Sequence, residues 1–96
     1  MRRVLAAAIA SVWIAAASVA SAEPPAGAAA CSGCHPSAAR GSSPVTPLAG
    51  RDRAEIIKAM QDFRSGARTG TVMDRIAKGF TDAEIQAIAA WWASQR

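Results

Sequence analysis

Cys31-Ser32-Gly33-Cys34-His35 is the stretch that decides how the rest of the chain is read. On a helical turn, side chains three and four residues apart share one face, so Cys31, Cys34 and His35 are placed to point the same way. Two thiols and one imidazole so arranged match the C-x-x-C-H signature of covalent haem attachment, in which the thiols add to the two vinyl groups of one porphyrin and the imidazole reaches its iron. Ser32 and Gly33 are small, which lets the backbone lie close to the macrocycle edge. A bare C-x-x-C is much less specific, because redox dithiols, zinc sites and disulfides also use it. The directly following His and a suitable compartment are what favour haem.

The compartment is read from the N-terminus. Met1-Arg2-Arg3 precede a run rich in Ala, Val and Ile over residues 4–20, and Ala20-Ser21-Ala22 offers a small-x-small cleavage site. That order predicts a secretory signal peptide over residues 1–22 and a mature domain over residues 23–96, beginning near Glu23. The apolar run, at about 18 residues, is also long enough to be weighed as an uncleaved anchor. Alanine is only weakly apolar, however, and the cleavage site is well formed. Arg2 and Arg3 are followed by Val4-Leu5-Ala6, which supply little beyond hydrophobicity, so general secretion is expected rather than folded export. The expected location is the periplasm, with no stable membrane insertion after cleavage.

Removing 22 of the 96 residues leaves 74, one small domain that can barely build a stable apolar core and usually needs a staple. Only two cysteines are present and haem would use both, so no disulfide is expected. The pI near 10.1 belongs to the whole chain. Without Arg2 and Arg3, nine Lys and Arg face seven Asp and Glu, a formal +2 that two haem propionates would roughly cancel. There is no basic run and no basic-aromatic interleaving, so nucleic-acid binding has no support. Arg51, Arg53, Arg64, Arg68, Arg75 and Lys78 fall in the middle of the chain, where they read as solvated surface or, alternatively, as a docking face for a redox partner.

The remaining segments all read as helix or loop. Pro24-Pro25 sit in a tail leading to a short helix over residues 28–34, which must end at His35-Pro36 because proline cannot continue it. Residues 37–50 are rich in Ser, Gly and Pro and read as a loop wrapped over something. Asp52 is an N-cap candidate with Glu55 three residues on, opening a helix to about residue 64 whose buried stripe is Ile56, Ile57, Met60 and Phe63. Gly66 suits a left-handed cap. A short helix over residues 72–78 follows. Thr81 and Glu84 form a capping box for a last helix over residues 82–94, with Ile85, Ile88, Ala89 and Trp92 at i, i+3, i+4 and i+7. No segment alternates with period two, so the expected fold is all-α.

With His on one side of a haem iron, the other side determines the chemistry: Met favours electron transfer, and an open position favours ligand binding or catalysis. The mature chain holds Met60 and Met73 and no second histidine. Met60 lies in an apolar helical stripe, where a thioether usually fills the core. Met73 follows the flexible Gly70-Thr71 stretch, so its sulfur reaches the iron without breaking a helix. An iron-bound His also needs a partner for its other ring nitrogen. A carbonyl in the Pro47-Leu48 stretch is the candidate, with Pro47 as a plain turn residue the alternative.

In order, Cys31-x-x-Cys34-His35, Pro47-Leu48-Ala49-Gly50, Phe63-Arg64-Ser65-Gly66, Met73 and Phe80-Thr81-Asp82-x-Glu84-Ile85 make the mature chain resemble the class I cytochromes c. Phe63-Arg64-Ser65-Gly66-x-Arg68 and the run from Val72 to Gly79 make it similar, within that class, to small periplasmic cytochromes such as the cytochrome subunits of flavocytochrome c sulfide dehydrogenases. The resemblance implies about four short helices around one covalent haem c, with thioethers at Cys31 and Cys34, axial ligands His35 and Met73, and a Pro47 carbonyl bonded to the His35 ring. It also implies that Trp91 packs the last helix across the first. Pro36 after the ligand and the Trp91-Trp92 pair depart from the usual pattern. The implied function is one-electron transfer without a catalytic residue, with a flavoprotein subunit as the partner. The alternatives are a freely diffusing carrier serving a terminal oxidase or other reductase, a haem enzyme or sensor with an open axial position, and a periplasmic dithiol oxidoreductase.

Overall fold

The computed structural model describes residues 23–36 and 43–95; the expected signal peptide, over residues 1–22, lies outside them, as do residues 37–42 of the wrapping loop. The described residues form α1 (Ala28–Cys31), α2 (Arg53–Ser65), α3 (Met73–Ile76) and α4 (Asp82–Ser94), with one 3-10 turn over Ala77–Gly79 continuing α3 and no strand among them. The all-α expectation is met.

Local chemistry sets the ends of the two long helices. The Asp52 carboxylate accepts the Glu55 N–H at 3.1 Å and starts α2, while Gly66, at φ 85°, closes it in the left-handed conformation that other residues avoid. At α4 the Thr81 hydroxyl caps the helix, its Oγ1 accepting the Glu84 N–H at 3.2 Å, and the same hydroxyl donates to Glu84 Oε1 at 3.1 Å. The α-helical part of the first element is shorter than the sequence predicts and ends at Cys31. Its last turn tightens instead. Ser32, Gly33 and Cys34 donate N–H groups three residues back, each at 3.2 Å, and His35 donates four back to Cys31 at 2.9 Å. Gly33 and the following Pro36 both disfavour continued α-helix, and the tighter turn still carries the chain to His35.

The core forms where α4 crosses the other helices. Ile85, Ile88, Ala89 and Trp92, the predicted stripe, are all buried, as are Ile56 and Met60 of α2, Ala28 and Ala77. Full burial of a side chain such as Ile85 or Ile88 contributes about 1.5–3 kcal/mol. Trp92 Nε1 donates to the Ala28 carbonyl at 3.2 Å, joining residues 64 positions apart. Trp91 packs against this same core, which includes Ala28 of α1. Trp92 completes the buried stripe and bridges to α1, whereas Trp91 is half-buried and meets the Trp92 ring edge-on at 4.9 Å. Arg64 fastens α2 to the start of α4, donating to the Phe80 carbonyl at 3.1 Å and pairing with Asp82.

Two glycines adopt the left-handed conformation at the joints of the fold. Gly27, at φ 87°, lies so close to the Phe80 ring that a Cβ there would meet Phe80 Cε1 at 2.6 Å. Gly50, at φ 72°, donates its N–H to the Trp92 carbonyl at 3.0 Å and ties the loop to the end of α4.

Candidate functional site

The helices and the described part of the wrapping loop line an open cavity of about 1000 Å³. Cys31, Cys34 and His35 line it from the turn after α1, while Met73 lines it from the first residue of α3. Leu48, Ile56, Met60, Phe63, Phe80 and Ile88 supply apolar walls. All four residues expected to hold a haem thus face one space. Met60 has both attributes at once: it is buried in α2 as a core residue and it also reaches the cavity wall.

His35 has a defined orientation. Its Nδ1 lies 2.6 Å from the carbonyl oxygen of Thr46. A carbonyl only accepts, so Nδ1 carries the proton and Nε2 keeps the lone pair that can bind a metal. The partner is thus Thr46 and not Pro47, a correction of one residue. Its cause lies in the peptide unit: the Thr46 carbonyl belongs to the bond that the Pro47 ring closes. Pro47 restricts the residue before it to extended geometry, so it aims this acceptor without supplying it. Pro44, Val45 and Leu48 of the same loop line the cavity, so the described part of the loop does wrap over the site.

The two thiols differ in setting. Cys34 is exposed, whereas Cys31 is half-buried and its Sγ lies 3.5 Å from the Gly27 carbonyl. Burial pushes the Cys31 thiol above its usual range, and hydrogen bonding from the Trp92 side chain and the Cys31 backbone opposes this less strongly. Reaction as a thiolate is therefore disfavoured at Cys31 once the domain has folded.

Across from the turn, the 66–71 loop brings Met73 into place. The Arg68 N–H donates to the Asp62 carbonyl at 3.1 Å, turning the chain back on α2, and the Arg68 guanidinium lies 4.8 Å from the centre of the Phe63 ring. Gly70 fits beneath: a Cβ there would meet Phe63 Cε1 at 2.9 Å and Met73 Cβ at 3.4 Å.

These residues fit a haem. The lining is mostly apolar, with Leu48, Ile56, Phe63, Phe80 and Ile88 among it, and the thiols, the imidazole and the thioether supply its soft and nitrogen donors. The hollow suits one large, flat apolar group, with two thiols to anchor it, an imidazole with a free nitrogen to bind its iron and a thioether facing from another element.

Comparison with known proteins agrees with that chemistry. No family model matches the chain. It is 41% identical over 64 residues, 67% of its own length, to the cytochrome subunit of sulfide dehydrogenase from Chlorobaculum tepidum. It is likewise 41% identical over 63 residues, 64% of its length, to a thiosulfate dehydrogenase electron acceptor from Stutzerimonas stutzeri. The chain spans 58% of the first relative's length and 29% of the second's. With cytochrome c-554(548) from Halomonas halodenitrificans it shares 32% identity over 69 residues, which cover 68% of the chain and 83% of that relative.

Proposed function

The chain belongs to the class I cytochromes c, and from that premise we propose that it carries single electrons in the bacterial periplasm through one haem c joined to Cys31 and Cys34 and ligated by His35 and Met73. The observation that carries the reading is the shared cavity, with Cys31, Cys34 and His35 on one wall and Met73 on another. When bound, haem supplies a one-electron couple whose potential the axial ligands and their surroundings tune. The protein's own residues do the rest. His35 is held in one tautomer and one orientation by the Thr46 carbonyl, which also raises the basicity of the ligating nitrogen. Met73, on the cavity lining at the start of α3, would supply the second iron ligand, and the apolar walls would surround the group, so no step would require a catalytic residue.

The electron donor in this reading is a flavoprotein sulfide dehydrogenase, with the chain as its cytochrome subunit. Its identity to the Chlorobaculum tepidum protein of that name supports the assignment. The second reading is a carrier that diffuses freely to a terminal oxidase or other reductase, and the relative named as an electron acceptor favours it. Intact mass of the mature protein and a reduced-minus-oxidised visible spectrum test the carrier role, which requires one covalent haem and sharp low-spin bands. Failure to find covalent haem overturns it. Flavin that co-purifies with the protein supports the subunit reading, and a monomer running alone under all mild conditions counts for the diffusing one.

A further inference from the structure

Gly70 is a glycine for want of space and not of conformation. The described glycines with positive φ are Gly27, Gly50 and Gly66, so no left-handed turn calls for glycine at position 70. Gly66 and Gly79, on either side of it in the chain, have nothing within 4 Å of where a Cβ would stand. At Gly70 that Cβ would meet Phe63 Cε1 at 2.9 Å, Met73 Cβ at 3.4 Å and the Met73 backbone nitrogen at 3.5 Å.

The contact completes a path of packing from α2 to the first residue of α3. After Gly66 the Arg68 N–H donates to the Asp62 carbonyl at 3.1 Å, which turns the chain back over the end of α2. The Arg68 guanidinium then covers the Phe63 ring, 4.8 Å from its centre, while Phe63 and Met73 both pack against the buried core. Three residues after Gly70 the chain enters α3, whose first turn is fixed by the Arg75 and Ile76 N–H groups, both donating to the Val72 carbonyl at 3.0 Å. The spacing between α2 and the Met73 backbone is therefore set by how closely Gly70 approaches Phe63, and glycine keeps that layer one atom thin.

We infer that the Phe63–Gly70 contact, backed by Arg68, is a positioning device that fixes the Met73 backbone and with it the reach of the Met73 thioether into the cavity. This rests on the reading of Met73 as an axial ligand and names the residues that hold it in place. A methionine side chain has three rotatable bonds and cannot fix itself, so its aim has to come from the backbone that carries it. Looseness of about 1 Å in such a support is enough to spoil a site.

The test compares holoproteins of Gly70→Ala, Phe63→Leu and the double variant. Intact mass checks the covalent haem, the sulfur-to-iron charge-transfer band of the oxidised protein reports the Met73 bond, and the rate of imidazole binding to the oxidised protein reports how readily that bond gives way. Gly70→Ala is expected to weaken the band and to speed imidazole binding by about tenfold or more, with the haem still attached. In the Phe63→Leu background, which lacks the Cε1 atom, the same change should alter the rate by less than about twofold. An unchanged band and rate in Gly70→Ala, or an effect just as large in the Phe63→Leu background, would overturn the positioning role while leaving Met73 as a ligand. If Gly70→Ala yields no holoprotein, Arg68→Gln decides: severalfold faster imidazole binding upholds the device, and the wild-type rate overturns it. A wild-type protein that lacks the band would overturn ligation by Met73, and this inference with it.

Discussion

Replacing Trp92 with Phe removes the indole N–H that bridges α4 to α1 and keeps an aromatic ring in place. Trp92 is 2% exposed, and it donates to a carbonyl of Ala28, which is fully buried, at 3.2 Å. A buried hydrogen bond of this kind contributes about 0.5–1.5 kcal/mol net. The smaller ring also leaves a few tens of Å³ unfilled, worth about 1 kcal/mol at roughly 24 cal/mol per Å³. The expected loss is therefore about 2 kcal/mol, which for a domain of this size lowers Tm by roughly 8–16 °C. Thermal unfolding of the holoprotein, followed by far-UV circular dichroism, measures it. A fall of less than about 4 °C would refute the claim that this bond and ring are central to the α1–α4 crossing.

Gly27→Ala should be among the costlier single-atom additions, because a non-glycine residue at φ 87° costs about 1–2 kcal/mol and the new Cβ, 2.6 Å from Phe80 Cε1, forces the ring to move; chemical denaturation of the holoprotein measures the combined loss. Arg64→Ala removes a bond to the Phe80 carbonyl and the Asp82 pair from a partly exposed side chain, so about 1 kcal/mol is expected, and part of it should vanish at high salt. Thr46→Ala should leave the midpoint potential unchanged, since the acceptor for His35 is a backbone carbonyl, whereas Pro47→Ala frees that peptide unit and should shift the potential. Potentiometric titration of the two variants checks the contrast, and a large shift in Thr46→Ala alone would count against it.

What the sequence made legible follows from how local each signal is. The caps at Asp52 and Thr81 each depend on two residues three apart, and both form with the expected partners. The α4 stripe was readable because a helix of 13 residues repeats its period several times. That same period places position 92 on the buried face, and Trp91, half-buried beside it, packs against the same core. The acceptor for His35 was missed by one residue because loop register has no period to fix it; it depends on the path from Pro36 to Pro47. Pro47 itself carried the usable hint, since a proline constrains the carbonyl before it. The seating of Gly70 against Phe63 was not legible either, because the 66–71 loop has no period to fix which of its residues returns to α2. Met60 shows the same limit in another form: its place in the α2 stripe predicts burial, yet only the packed structure brings it to the cavity wall.

The central claim, a haem closed by His35 on one side and Met73 on the other, is tested most directly by the sulfur-to-iron charge-transfer band of the oxidised protein. The band is expected in the wild type and is lost in Met73→Ala, with the haem still covalently attached, a lower midpoint potential and rapid carbon monoxide binding after reduction. A wild-type protein without the band that binds carbon monoxide rapidly when reduced, or a Met73→Ala spectrum identical to wild type, would contradict it.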